Sequence, residues 1–176
     1  MVRLNKLDLV YKAKRGNGKA FTKLMDENLK SMYRVGKGIL VREDDIEDAI
    51  QNTILKAYSN IENLKNDELF KTWLIKILIN ECNKIYGFNK KCISLEKVAE
   101  EQYKDKYEDF DLKVAVASLQ EELKLVITLF YFEDLRISEI SEIIGIPEGT
   151  VKSRLSRAKS KIAESMDRKE IVEWWI

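Results

Sequence analysis

The chain has no histidine, a single proline (Pro147), only seven glycines and only two cysteines, Cys82 and Cys92, in 176 residues. Each scarcity excludes something. Without histidine the commonest acid–base catalyst is missing. A tetrahedral zinc site would need more good ligands than the two thiols offer, so both read as reduced thiols, and neither a metal nor a cofactor is expected. With so little proline and glycine, few of the turns that a sandwich or barrel consumes can form. The expected fold class is therefore all-α. No run approaches the ~20 apolar residues of a membrane helix, and Met1-Val2-Arg3-Leu4-Asn5-Lys6 does not lead into a secretory apolar core. A soluble cytoplasmic protein is expected. There is also no Gly-rich phosphate loop, and no carboxylate pair stands apart from one acidic helix, which argues against an enzyme.

What is present is an apolar fraction of 45% and a net charge of +1. The near-neutral total hides a segregation. Arg42 to Asp48 holds five acids (Glu43, Asp44, Asp45, Glu47, Asp48) against one arginine. Gly145 to Lys169 holds seven bases against Glu148, Glu164 and Asp167. Two separated surfaces of opposite sign imply two different partners.

Periodicity supplies the elements. A first helix over 8–15 ends at the turn Arg15-Gly16-Asn17-Gly18. A second starts near Lys19 and buries Ala20, Phe21, Leu24, Met25, Leu29, Met32 and Tyr33. From Asp45 to Tyr58, Ile46, Ala49, Ile50, Thr53, Ile54, Ala57 and Tyr58 share one face. After the polar stretch 59–68, another helix places Phe70, Trp73, Leu74, Ile77, Leu78 and Ile85 inward, with Lys71, Lys76, Asn80 and Lys84 outside. Residues 93–111 then carry seven acids and three lysines with no sustained apolar stripe, which reads as a linker. The expected division is a first domain over 1–91, a linker over 92–112 and a second domain over 113–176.

Ser118-Leu119-Gln120-Glu121 fits a capping box at the opening of the second domain. Leu119, Leu123, Val126, Ile127 and Phe130 form its first stripe, and Ile137, Ile140, Ile143 and Ile144 the next. Gly145-Ile146-Pro147-Glu148 is a turn, with Pro147 opening a helix that runs to about Ser165. At ~100° per residue, Val151, Leu155, Ala158 and Ile162 make a narrow apolar stripe. Opposite lie Ser153, Ser156 and Ser160, with Thr150 and Arg157 to one side. Lys152 and Lys159 flank one edge, Arg154 and Lys161 the other. Helix, short glycine turn and polar helix are the spacing of a helix-turn-helix. Small hydroxyls admit close approach to base edges, an arginine can fork onto guanine, and flanking cations meet phosphates.

Four strings, in order, resemble the extracytoplasmic-function group of sigma-70 factors. Arg15-Gly16-Asn17-Gly18-Lys19-Ala20-Phe21 is similar to its opening turn. Asp45-Ile46-Glu47-Asp48-Ala49-Ile50-Gln51-Asn52-Thr53 is similar to its acidic helix. Phe70-Lys71-Thr72-Trp73-Leu74 with Ile77 and Asn80 is similar to the next helix, and Ile144 to Arg154 to the end of its helix-turn-helix. The resemblance covers about residues 8–165. It implies a non-catalytic subunit of core RNA polymerase with two DNA-reading domains. Glu47, Asp48, Gln51, Asn52 and Leu55 take the place of the face that docks on the clamp helices of the largest polymerase subunit. The segment 61–69 with Asn80 takes the place of a pocket for a flipped base of the −10 promoter element; Asn63, Lys65, Asn66, Lys71, Lys76 and Lys84 stand with it. Thr150, Lys152, Ser153, Arg154, Ser156, Arg157, Lys159 and Lys161 take the place of the −35 reader. The flap region of the polymerase and an anti-sigma factor are further implied partners. The chain departs from the pattern at Asn52, where an acid is more frequent, at Arg136, where a capping serine is frequent, and at Gln120, where proline is. The spacing of Trp73 puts it in the core, and Trp174-Trp175 match no motif. The competing reading is a conventional helix-turn-helix regulator with a ligand-sensing or dimerising N-terminal domain.

Overall fold

The computed structural model describes residues 6–92, 115–116 and 118–165. Every regular element among them is helical, and the chain divides into two compact units, Met1–Lys91 and Cys92–Ile176. The expected linker beyond Cys92 and the Trp174-Trp175 tail lie outside the described residues.

The first unit is built from α1 (Lys6–Lys14), α2 (Gly18–Gly36), α3 (Glu43–Asn60) and α4 (Phe70–Cys92). The turn before α2 works as its residues suggest. Gly16 takes a left-handed φ of 81°, and the Asn17 side chain accepts a hydrogen bond from the Ala20 N–H at 3.0 Å, which satisfies one orphan donor of the new helix. At its far end Gly36 sits so close to Ile46 that an added Cβ would lie 3.0 Å from Ile46 Cγ2, so α2 and α3 approach closely there. Glu43 joins the same two helices, accepting from the Tyr33 hydroxyl at 2.6 Å and pairing with Lys37 at 3.3 Å.

The buried stripes differ from the expected ones in instructive ways. On α2, Leu29 and Tyr33 are exposed, while Asn28 is buried. The Asn28 amide donates to the Leu24 carbonyl at 2.7 Å, which lets a polar residue occupy the inward position. On α3, Tyr58 is exposed and its ring instead meets Phe21 edge-on at 5.2 Å. Thr53 is buried because its hydroxyl donates to the Ala49 carbonyl at 2.7 Å. On α4 the core residues are Phe70, Leu74, Ile75, Leu78, Ile79 and Cys82. Trp73, Ile77 and Ile85 are only half-buried. Burial pushes the Cys82 thiol up to about 12, so it stays protonated and inert.

The second unit contains α5 (Glu121–Ile127), a π-helical turn over Thr128–Phe132, α6 (Ile137–Ile144) and α7 (Glu148–Ser165). The capping box expected at Ser118 does not form. The helix begins later, with Gln120 at its N-cap making no side-chain bond, and the Ser118 hydroxyl donates to the Ala115 carbonyl at 2.8 Å. The π turn closes through Glu133 N–H to the Thr128 carbonyl at 3.1 Å. At the start of α6, where Arg136 replaces a capping hydroxyl, Glu139 takes over. Its carboxylate accepts from the Arg136 backbone N–H at 3.0 Å and from the Arg136 Nε at 3.1 Å. The α7 stripe packs on α5 and α6, burying Val151, Leu155, Ala158 and Ile162 as the periodicity requires.

Candidate nucleic-acid interface

The turn between α6 and α7 sets the direction of α7. Gly145 adopts φ 70°, its N–H closes α6 on the Ser141 carbonyl at 2.9 Å, and the Ser141 hydroxyl donates to the Ile146 carbonyl at 2.6 Å. The Pro147 carbonyl then accepts from Thr150 and Val151 at 2.8 and 3.1 Å, opening α7. With the apolar stripe buried, Lys152, Ser153, Ser156, Arg157, Lys159 and Lys161 are exposed and Thr150 is half-buried. The Ser153 hydroxyl donates to the Thr150 carbonyl at 2.9 Å and the Ser160 hydroxyl to the Ser156 carbonyl at 3.2 Å, so these two side chains fold back onto the helix.

The two expected flanks of α7 are not equivalent to free cations. The Arg154 guanidinium pairs with Glu122 of α5 at 2.6 Å, its side chain only 21% exposed. The Lys159 ammonium lies over the Tyr131 ring of the π turn, 5.4 Å from its centroid. Periodicity within α7 could reveal neither partner.

In the first unit, Glu47, Asp48, Gln51, Asn52 and Leu55 are all exposed on α3, Leu55 at 65%. They form one polar face with an apolar residue in it. The segment between α3 and α4 folds as two 3-10 turns, Ile61–Asn63 and Asp67–Leu69. Ile61 and Leu64 anchor it in the core, while Asn63, Lys65 and Asn66 are exposed. Asn66 is occupied as a cap, accepting from the Glu68 N–H at 3.0 Å. On α4, Asn80 and Lys84 are exposed, and Lys71 and Lys76 half-buried. Lys84 reaches Glu81 at 2.8 Å, and Lys56 of α3 reaches the same Glu81 oxygen at 2.6 Å. Burial opposes ionisation of Glu81, but the hydrogen bonds from Lys56 and Lys84 overcome it and hold its carboxyl below the usual value.

Sequence reasoning missed Lys14, Lys56, Glu81 and Glu122. Lys14, at the end of α1, donates to the Leu64 carbonyl and to Asp67, both at 2.7 Å. No helix among the described residues is long and apolar enough to cross a membrane.

Residues 24–86 match the family described as Sigma-70 region 2, and residues 110–162 match Sigma-70, region 4. The chain is 34% identical over 136 residues to the RNA polymerase sigma factor SigV of Bacillus subtilis, spanning 75% of this chain and 82% of that one. It is 28% identical over 181 residues to the ECF RNA polymerase sigma-E factor of Haemophilus influenzae, covering 88% and 91% of the two. Among solved structures, the sigma factor RpoE of Bartonella quintana, in complex with the anti-sigma factor NepR, superposes with a TM-score of 0.69 at 25% identity, over 84% of this chain and 96% of that one. CnrH, in complex with the cytosolic domain of CnrY, shares the fold, with a TM-score of 0.66 at 22% identity over 93% and 97% of the chains. Two sigma regions in order, with an exposed polar helix in each, define a sigma-70-type initiation factor. The chain belongs to the sigma-70 family, in its extracytoplasmic-function group, and is an alternative sigma factor of transcription initiation.

Proposed function

We propose that the chain acts without catalysis of its own, as a cytoplasmic specificity subunit with three contact surfaces. Glu47, Asp48, Gln51, Asn52 and Leu55 dock on the clamp helices of core RNA polymerase. Asn63, Lys65, Asn66, Lys71, Lys76, Asn80 and Lys84 bind the −10 element and its displaced strand. Thr150, Lys152, Ser153, Arg154, Ser156, Arg157, Lys159 and Lys161 serve the −35 element, with the polymerase flap as a further contact of the second unit. The domain roles follow: 1–91 for polymerase and −10, 113–176 for −35. The observation that carries the reading is α7 itself, whose apolar stripe is fully buried while its hydroxyl and arginine face stays exposed.

The mechanism follows from the chemistry of each surface. Exposed serines let α7 lie close to base edges, and Arg157 offers the bidentate fork that guanine O6 and N7 accept. Melting begins when a base leaves the stack, which costs a few kcal/mol. Amide side chains such as Asn63 and Asn80 can repay part of that cost on the base edge, and the lysines of α4 hold the strand's phosphates. Within this division, Asn66 and Lys84 contribute through what they already hold, the 61–69 turn and Glu81. Because RpoE has been seen with the anti-sigma factor NepR, a similar inhibitor is proposed here.

Run-off transcription tests the reading, with purified core polymerase, this protein and the promoter of its own gene. A defined start that depends on the protein is expected. No transcript, together with failure to co-elute with core polymerase, would instead fit a conventional helix-turn-helix regulator.

A further inference from the structure

The 61–69 segment has only two short 3-10 turns of its own, and such segments are ordinarily the least constrained part of a helical bundle. This one is bolted from outside. The Lys14 ammonium donates to the Leu64 carbonyl at 2.7 Å and to Asp67 Oδ1 at 2.7 Å, across 50 and 53 residues of sequence. The bonds fall on either side of Lys65 and Asn66, one at the end of the first turn and one at the start of the second. Both charged side chains are largely covered, at 23% and 27% exposure, so water and salt screen the pair less than an open surface pair. Charge-assisted bonds of this length are the strong ones. The side chain of Leu64 is buried and Asn66 caps the second turn, so the path of residues 64–67 is determined at every residue except Lys65.

We propose that Lys14 is a positioning residue for promoter melting: it fixes the backbone of residues 64–67 so that Asn63 and Lys65 meet the −10 strand in one geometry. This rests on the reading of the 61–69 segment as the −10 surface. A side chain of α1, which touches no DNA in this scheme, thereby governs how quickly the unstacked base is captured. Loss of the bolt leaves polymerase docking through α3 and −35 reading through α7 intact, because neither surface contains Lys14 or its partners.

The test uses full-length protein in holoenzyme, on the promoter mapped by run-off transcription. Lys14→Met, Lys14→Arg and Asp67→Asn are compared for core affinity, closed-complex affinity and the rate of base unstacking. Unstacking is read by a fluorescent base analogue at the −10 position. Lys14→Met is expected to slow unstacking about tenfold, the scale set by losing charged hydrogen bonds, and to loosen −10 base discrimination at unchanged core and closed-complex affinity. Lys14→Arg, which keeps paired N–H donors, should restore most of the rate. Asp67→Asn should fall between, because the Leu64 carbonyl remains bound. Native unstacking in Lys14→Met overturns the inference, and so does a parallel loss of all three readouts, the mark of a merely structural role. Asn63→Ala and Asn80→Ala separate the two claims. If they too leave unstacking native, the −10 reading fails and takes this inference with it. If they impair unstacking while Lys14→Met does not, only the role of Lys14 fails.

Discussion

At the scale of single residues, exposure was legible along α7 but not at Leu29, Tyr33 or Tyr58, and partnership was not legible at all. The four residues of the α7 stripe are buried as periodicity requires, and Ser153, Ser156 and Arg157 are exposed. Yet Lys84, expected as a cation for the DNA strand, shares Glu81 with Lys56. Contacts between residues 25 apart in sequence leave no periodic trace. Glu81 supplies a pH prediction. Its folded carboxyl titrates below the usual Glu value, so its contribution is present above the unfolded value of about 4.3 and fades as pH falls through the folded one. Because both lysines are about half exposed, Glu81→Gln should cost ~1–2 kcal/mol near neutrality. In thermal unfolding across pH, the gap between native and variant should close below pH ~4; a constant gap would remove the ionic account. Arg157 belongs to the same scale. If it forks onto guanine, Arg157→Ala should cost roughly 1–3 kcal/mol and relax selectivity at one −35 position. Unaltered selectivity across single-base promoter variants would sink that assignment.

At the scale of elements, helix positions followed from pattern and turn chemistry, whereas the facing of two helices did not. The turns at Gly16 and Gly145 adopt the left-handed backbone that their glycines suggest. The Ser118 box fails because α5 starts later and makes no side-chain cap at Gln120, something a four-residue motif cannot convey. The burial of Ile75, Ile79 and Cys82 in place of Trp73, Ile77 and Ile85 on α4 lies within the scatter of an apolar-rich helix, and the extra residue of the π turn over Thr128–Phe132 is invisible to a 3.6-residue period. Two predictions belong here. Asp48 and Gln51 are exposed on one face of α3 and support no core contact. Changing both to alanine should therefore weaken core-polymerase binding without altering thermal stability by more than ~0.5 kcal/mol. Normal holoenzyme assembly by the double variant would refute the docking face. The Arg154–Glu122 pair joins α7 to α5 at 2.6 Å, with Glu122 70% exposed. A double-mutant cycle with glutamine at each position should give a coupling of only ~0.2–1 kcal/mol in unfolding, as for other partly exposed pairs.

At the scale of the whole molecule, charge is distributed against the simplest expectation for a DNA-binding protein. Met1–Lys91 carries 18 lysines and arginines against 12 acids, whereas the rest of the chain, which contains the proposed −35 reader, carries 13 against 18. Diffuse attraction cannot hold a net acidic unit on DNA. Charges beyond ~8 Å are largely screened at physiological salt, so what matters is the local set. On α7 alone, Lys152, Arg154, Arg157, Lys159 and Lys161 stand against Glu148 and Glu164, and Arg154 is already paired. On the proposed −35 reading, Lys152 and Lys161 then each carry a discrete share of phosphate binding, whereas Lys159 lies over the Tyr131 ring. Lys152→Gln and Lys161→Gln in holoenzyme should each flatten the slope of log affinity against log salt by about 0.9, the counterion released per phosphate. Neither should change which −35 base is preferred, since a phosphate contact positions without specifying. Arg154→Gln should leave the slope nearly unaltered, because Glu122 already cancels its charge. A slope that drops for Arg154→Gln as much as for the lysines would show that the guanidinium leaves Glu122 for a phosphate on binding. That outcome would make the pair a latch opened by DNA rather than a fixed strap between α5 and α7.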